Sequence, residues 1–320
     1  MTYTSGSTIV ATDYNGFVNN TAGANVNDIW ATGATDNGYG QSIMGTVAAT
    51  NTITATQWSS LVNNLASLGN HQGTTITARS APVAGNTINI LSALNTDLTN
   101  CTTNRGNAAA SGSQYTAWTG TNSKTSSTTG ASTIIFTNTV TFPSANQARY
   151  FWNAGGLVKI QVGKSSTGQT GDPEWNDLAT TLCGAIWISG RVNGAAQTIA
   201  GTSYTGTKKV GGTGTPTILA TTTGWYDLIA GAGGTIIYQQ NADTAPYTAN
   251  FIRHSIRNIT DTQLEITTYW SNGEGDTISG GTAASGGTFG TAPCTMVTYY
   301  PPSSTYLTNS WGTPTVAATV

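Results

Sequence analysis

Apolar residues along the chain follow two rhythms, one of about 3.6 residues near the N-terminus and one of about two residues across the remainder. Trp58, Leu61, Val62, Leu65 and Leu68 recur at helical spacing and make a single apolar stripe. Thr54-Ala55-Thr56-Gln57 stands before them as a capping box, in which Thr54 accepts from the backbone N–H three residues on and Gln57 reaches back. This pattern predicts a helix that opens after Thr54 and stops at Gly69. A second helix is predicted to open near Asn86 or Thr87, to align Ile88, Leu91, Leu94, Leu98 and Cys101, and to end at Gly106. The connector through Gly73–Ala78 and the Pro82–Gly85 turn is short. The two stripes therefore bury against each other as a hairpin, or around a symmetry axis with copies from other subunits.

After a Ser/Thr/Gly-rich stretch from Ala108 to Ser132, read as a linker or long surface loop, the period changes to two. Ile134, Phe136, Val140 and Phe142 alternate with polar partners, as do Val158, Ile160 and Val162, then Ile186 and Ile188, and later Leu264, Ile266 and Trp270. Thr235 to Gln239, Thr248 to Ile259 and Thr295 to Tyr300 read as further strands. Short strands divided by Gly, Asn, Pro and Asp turns, with no helical pattern of similar strength between them, predict two packed antiparallel sheets. The expected fold is α+β and mainly β. Residues 1–125 form a mostly helical attachment and assembly region, and residues 126–320 an antiparallel β-sandwich.

Composition narrows what such a fold is for. The 320 residues include 11 Lys+Arg and 13 Asp+Glu, so 8% are charged where soluble domains average about 25%. Thr, Ser, Asn, Gln and glycine backbone must wet the surface. Proton transfer, metal ligation and phosphate binding draw on ionisable groups, so this surface suits assembly better than catalysis. A net charge of -2 supplies no footprint for nucleic acid. Lys208-Lys209, the one adjacent basic pair, reads as a solvated turn. The opening MTYTSGSTIVATDYN lacks a basic and then apolar leader, and no run approaches roughly 18 apolar residues, so neither a cleaved signal nor a membrane span is expected.

Little chemistry has material to draw on. His71 and His254 are the only histidines; the first reads as a helix C-terminal cation or local hydrogen-bonding group, the second as a solvent-face or interface residue. Asp172, Glu174 and Asp177, and separately Glu274 and Asp276, are the groupings that glycoside hydrolysis would require. Both lie beside Gly, Pro or Asn and read as turns, without the alternation of a calcium loop. Gly211-Gly212-Thr213-Gly214 and Gly280-Gly281 lack the strand-to-helix context of a phosphate loop. Cys101, Cys183 and Cys294 are odd in number and widely spaced, and read as packed thiols. Asn19, Asn100 and Asn258 fall in N-x-S/T triplets that an Asn/Thr-rich chain produces by composition. Most of the nine Trp and thirteen Tyr are expected in the core or at interfaces, with a sugar-binding surface as the alternative. No catalytic, cofactor-binding or metal residue is assigned, and no cofactor is expected.

Several phrases, taken in order, resemble a family of virion structural proteins of tailed bacteriophages, of the cyanophage type and tail-fibre-like. They are Asp13-Tyr14-Asn15-Gly16-Phe17, Gly38-Tyr39-Gly40-Gln41, Thr54-Ala55-Thr56-Gln57-Trp58, Asn70-His71-Gln72-Gly73, Ala148 to Gly156 (ARYFWNAGG), and Pro301 to Leu307 (PPSSTYL). Order and spread carry the resemblance, which runs from residue 13 to Trp311-Gly312-Thr313-Pro314; Trp152 stands where that pattern suggests another Phe. The resemblance implies a noncatalytic particle component, assembled in the host cytoplasm, whose partners are other virion proteins, copies of itself and a host cell-surface glycan. It brings no catalytic motif. A trimer is expected for a fibre, and a hexameric or larger ring for a collar, baseplate or sheath part. A head decoration, neck or tail-sleeve component is the architectural alternative, and a polysaccharide depolymerase the catalytic one.

Overall fold

The computed structural model describes residues 10–19, 24–33, 37–83, 91–113, 122–123, 133–164, 172–273 and 294–319. Helices dominate the first of these. Helix α1 (Ala11–Val18) is opened by the Asp13 carboxylate, which accepts from the Val10 N–H at 3.0 Å. Helix α2 (Val26–Trp30) is capped by Asn25, which accepts from the Asp28 N–H. Helix α3 (Ala55–Gln72) carries the expected capping box: Gln57 N donates to Thr54 Oγ1 at 3.3 Å and Thr54 N donates to Gln57 Oε1 at 2.8 Å. Its stripe is buried, and Trp58 meets Tyr14 edge-on with ring centres 5.5 Å apart.

Gly69 does not end α3. The helix runs one more turn because His71 and Gln72 gain partners there, Gln72 donating to the Tyr39 hydroxyl and to the Cys101 carbonyl. The left-handed residue that closes it is Gly73, at φ 69°. Helix α4 (Leu91–Thr103) buries Leu94, Leu98 and Cys101, and stops three residues short of Gly106, which lies in the following turn. Its expected start near Asn86 lies outside the described residues. The two helices contact each other within the chain.

The strands are those the alternation predicts, with several short additions. They are β1 (Asn122–Ser123), β2 (Thr133–Thr141), β3 (Leu157–Gly163), β4 (Ala185–Ile188), β5 (Gln197–Ile199), β6 (Thr202–Tyr204), β7 (Thr207–Val210), β8 (Ile218–Leu219), β9 (Thr235–Asn241), β10 (Phe251–Thr260), β11 (Gln263–Ser271), β12 (Cys294–Tyr300) and β13 (Thr315–Thr319). One sheet runs β13-β2-β11-β10-β9-β8, the other β1-β12-β3-β4-β7, with β5-β6 as a separate hairpin. Every pairing in them is antiparallel. Ile134 opposite Trp270 and Val140 opposite Leu264 line the inner face of the first sheet; Val158 opposite Tyr299 and Ile160 opposite Val297 line that of the second. All eight belong to one buried apolar cluster, which also takes in the stripes of α1, α3 and α4. The expected division at residues 125 and 126 lies outside the described residues, and the cluster holds side chains from both sides of it.

Helix α5 (Ala145–Asn153) carries the chain from one sheet to the other, opened by Ser144, which accepts from the Gln147 N–H. Phe151 and Trp152 on it pack at a tilt against Phe142, with ring centres 5.1 and 6.0 Å away. The Asp172-Pro173 segment is a helix, α6 (Asp172–Asp177), not the turn its residues suggest; it runs on as a π-turn over Leu178–Leu182. Trp175 is buried against Trp270 at 5.9 Å, and that burial outweighs the turn preference of Asp and Pro. Lys208 and Lys209 likewise sit in β7 and not in a turn. Among the described residues, no helix is long and apolar enough to cross a membrane.

Candidate functional site

Both histidines are structural polar groups inside the fold. His71 is buried, with its Nε2 3.2 Å from the Ala154 carbonyl and its ring 5.1 Å from Tyr39. Desolvation pushes its pKa down to about 4, and the carbonyl bond offsets part of that. It is therefore neutral at pH 7: of its two readings the helix-terminal cation does not hold, and the hydrogen bond it makes is to Ala154, distant in sequence and not local. His254 is also buried and not on a solvent face: it lies 2.9 Å from Thr268 Oγ1 and stacks on Tyr238, and burial pushes it down to about 3.

Glu174 and Asp177, grouped in the sequence, are joined in the fold by Asp243, which no local pattern brings near them. Oxygens of Glu174, Asp177 and Asp243 lie within 4.8 Å of one another. Burial raises the Glu174 pKa, the neighbouring Asp177 and Asp243 add to the rise, and a backbone hydrogen bond from Thr244 lowers it. Glu174 and Asp177 come from α6 and Asp243 from the connection after β9, so three like charges are brought together by packing. The Asp172 side chain, Glu274, Asp276 and Gly280-Gly281 lie outside the described residues. Gly211 and Gly212 follow β7 with φ of 72° and 66°, as a tight turn requires.

Charges elsewhere face each other. Of the six arginines, four form ion pairs within the chain: Arg79 with Asp97, Arg105 with Asp28, Arg191 with Asp227 and Arg257 with Glu265. The three cysteines are free thiols, and burial raises the pKa of each, Cys101 and Cys183 to about 12. As thiols they are inert at neutral pH.

Two lysines take part in an aromatic row on the outer face of the β3-β4-β12 sheet. Register places Thr298, Lys159, Trp187 and Lys208 side by side across β12, β3, β4 and β7. Lys159 Nζ lies 5.4 Å from the ring centres of both Trp187 and Tyr300 and donates to the Tyr300 hydroxyl at 3.2 Å. Lys208 Nζ lies 5.5 Å from the Tyr204 ring. Each such contact contributes about 0.5–2 kcal/mol. Thr298, Lys159 and Tyr204 are buried and Trp187, Lys208 and Tyr300 half-buried, so the row is a packed cluster of rings and ammonium groups and not an open surface. Alternation alone places Lys159 and Trp187 outward, but only the pairing register brings them together.

The phrases that carry the phage resemblance converge in space. Asn153 Nδ2 donates to the Gly38 carbonyl at 2.9 Å, His71 meets Ala154, and Gln41 is bonded to Thr308 just beyond the PPSSTYL segment. Gly40, at φ 69°, lies so close to Tyr150 that a Cβ there would overlap the ring. Four stretches far apart in sequence thus form one junction between the helical region and the sheets. No family model, curated protein or solved structure matches the chain.

Proposed function

We propose that this chain is a noncatalytic structural protein of a tailed-phage virion, tail-associated as part of a fibre, collar or baseplate periphery, and that its sandwich loops aid attachment to the host surface. The observation that carries this reading is the internal pairing of the few charges. With four of six arginines paired within the chain, this reading assigns association mainly to apolar contacts and backbone hydrogen bonds. Ile229 and Ile43 supply the former, at 76% and 74% exposure. The convergence of the resembling phrases at a packed junction agrees with a scaffold role.

Strand β13 supports the architectural alternative of a decoration, neck or sleeve component. It lies at a sheet edge, and its sequence TVAAT has neither charge nor proline. Monomeric proteins normally blunt such edges, whereas a protein that tiles laterally uses them. Soluble chain added to susceptible cells tests the attachment role: it should coat them and block phage adsorption. Failure to bind any envelope fraction removes that role and leaves the architectural one.

A further inference from the structure

Among the described residues, β13 is the one unguarded edge of the two sheets. Of the four strands at their ends, β1 and β8 are two residues long and β7 carries Lys208 and Lys209. Short or lysine-bearing edges discourage pairing with another chain. β13 is five residues long, TVAAT, with Thr315, Ala317 and Thr319 exposed and Val316 and Ala318 half-buried.

The direction of its backbone groups follows from its neighbours. Phe142 N donates to the Thr262 carbonyl, one step beyond the pairing of Thr141 with Gln263. Even-numbered residues of β2 therefore turn their N–H and C=O toward β11, and odd-numbered ones toward β13. Opposite the odd-numbered Thr141, Thr139 and Thr137 stand Thr315, Ala317 and Thr319, which bond back to β2. Val316 and Ala318 alternate with them and turn their N–H and C=O outward, away from β2. Each copy thus offers two donors and two acceptors along its edge, in the alternation that another strand would meet.

We propose that β13 pairs antiparallel with β13 of a second copy about a two-fold axis at Ala317, which makes one continuous sheet of the two six-stranded ones. This register sets Val316 of each copy opposite Ala318 of the other, and every outward N–H and C=O finds a partner. A register displaced by two residues sets Val316 or Ala318 opposite itself and leaves the other facing a residue outside β13. The side chains agree with the centred register. Thr315 falls opposite Thr319, a favourable cross-strand pair. Ala317 meets its own copy at a non-hydrogen-bonded position, where Cα atoms approach to about 4.5 Å and a methyl fits. TVAAT reads almost alike in both directions and brings no like charges together, and this self-complementarity selects a second copy over an unrelated strand. Being isologous, the contact closes on itself and joins trimers or rings in pairs instead of growing a fibril. The inference deepens the architectural reading by naming a partner, and rests on it for the particle in which copies meet.

Sedimentation velocity of the full chain should show a concentration-dependent dimer. Ala318→Pro removes an outward N–H and no bond to β2, so it should raise the dimer dissociation constant about tenfold or more and leave the melting curve of the dilute chain unchanged. Ala317→Pro breaks the β2 ladder instead and should lower the melting temperature. Ala317→Cys under mild oxidation should give a disulfide-linked dimer, because the expected Cα spacing lies within the roughly 4.4–6.8 Å that a disulfide spans. Thr319→Cys, which faces Thr315 and not itself, should not. A chain that stays monomeric, or a dimer that Ala318→Pro leaves intact or Ala317→Cys fails to lock, refutes the pairing. A dimer with these responses, formed by a chain absent from purified particles, upholds the pairing and removes the particle reading. A chain present in particles but monomeric in solution removes the pairing alone.

Discussion

Gln41 holds the backbone of Thr308 as a neighbouring strand would: its Oε1 accepts from the Thr308 N–H at 2.9 Å and its Nε2 donates to the Thr308 carbonyl at 2.9 Å. The same oxygen accepts from the Thr308 hydroxyl at 2.6 Å. Gln41 is buried, so water cannot replace these bonds. Gln41→Ala strands an N–H and a carbonyl and should lower unfolding free energy by about 2–4 kcal/mol. Urea unfolding measures it; a loss below about 0.5 kcal/mol means that the junction does not hold the C-terminal segment.

Gly40 tests the same junction sterically. Its φ of 69° is left-handed and a Cβ there meets the Tyr150 ring. Gly40→Ala combines backbone strain of about 1–3 kcal/mol with displacement of that ring, whereas Gly45→Ala, with open space around it, should be near neutral. Equal melting temperatures for the two variants would contradict this.

Acid should destabilise the fold through its histidines before most carboxylates titrate. An unfolded imidazole binds its proton near pH 6.5, whereas the folded chain holds His71 down at about 4 and His254 at about 3. Below about pH 6.5 the unfolded state therefore carries more protons, and stability falls by up to about 1.4 kcal/mol per pH unit for each histidine. Above about pH 7 neither contributes. The urea midpoint should drop between pH 7 and about pH 5, and less so in His254→Gln. A midpoint that is flat over that range excludes neutral buried histidines.

Glu174 acts with the opposite sign. Its folded pKa is raised by burial and by Asp177 and Asp243, so its contribution favours the fold at low pH and is lost as pH rises through the folded value. Glu174→Gln should stabilise the chain at neutral pH by up to about 1 kcal/mol, less in high salt because the group is partly exposed. The gain should vanish near pH 4. A loss of stability at neutral pH would mean that the carboxylate is a required partner.

Ile229 and Ile43 are exposed aliphatics on a surface with few charges. Ile229→Lys and Ile43→Lys should shift the chain toward the monomer in sedimentation velocity, with the fold's own stability changed by less than about 0.5 kcal/mol. Unchanged assembly in both variants would exclude these residues from the subunit contacts.

The sheets were legible because burial on one face imposes a period of two, and Val158, Ile160, Leu264 and Ile266 display it. The short polar strands β5 and β6 were not, since Gln197 and Thr202 show no apolar alternation. Helix α6 was hidden by an Asp-Pro start that resembles a turn, although Pro in a first helical turn is itself a helix signal. His254 was misplaced despite a visible cue: it shares the parity of Ile252 and Ile256, which face the core, while Arg253 and Arg257 face out. The acidic cluster was beyond reading. Asp243 reaches Glu174 only through tertiary packing that no local pattern encodes.

The claim that this chain is built into a particle is tested most directly by absolute mass-spectrometric quantification of gradient-purified phage encoding it. The account predicts the chain in every particle, in a fixed copy number divisible by three or six: few for a fibre, collar or baseplate part, hundreds for decoration. Its absence from purified particles, with the chain recovered as a free monomer from the same lysate, would contradict the account.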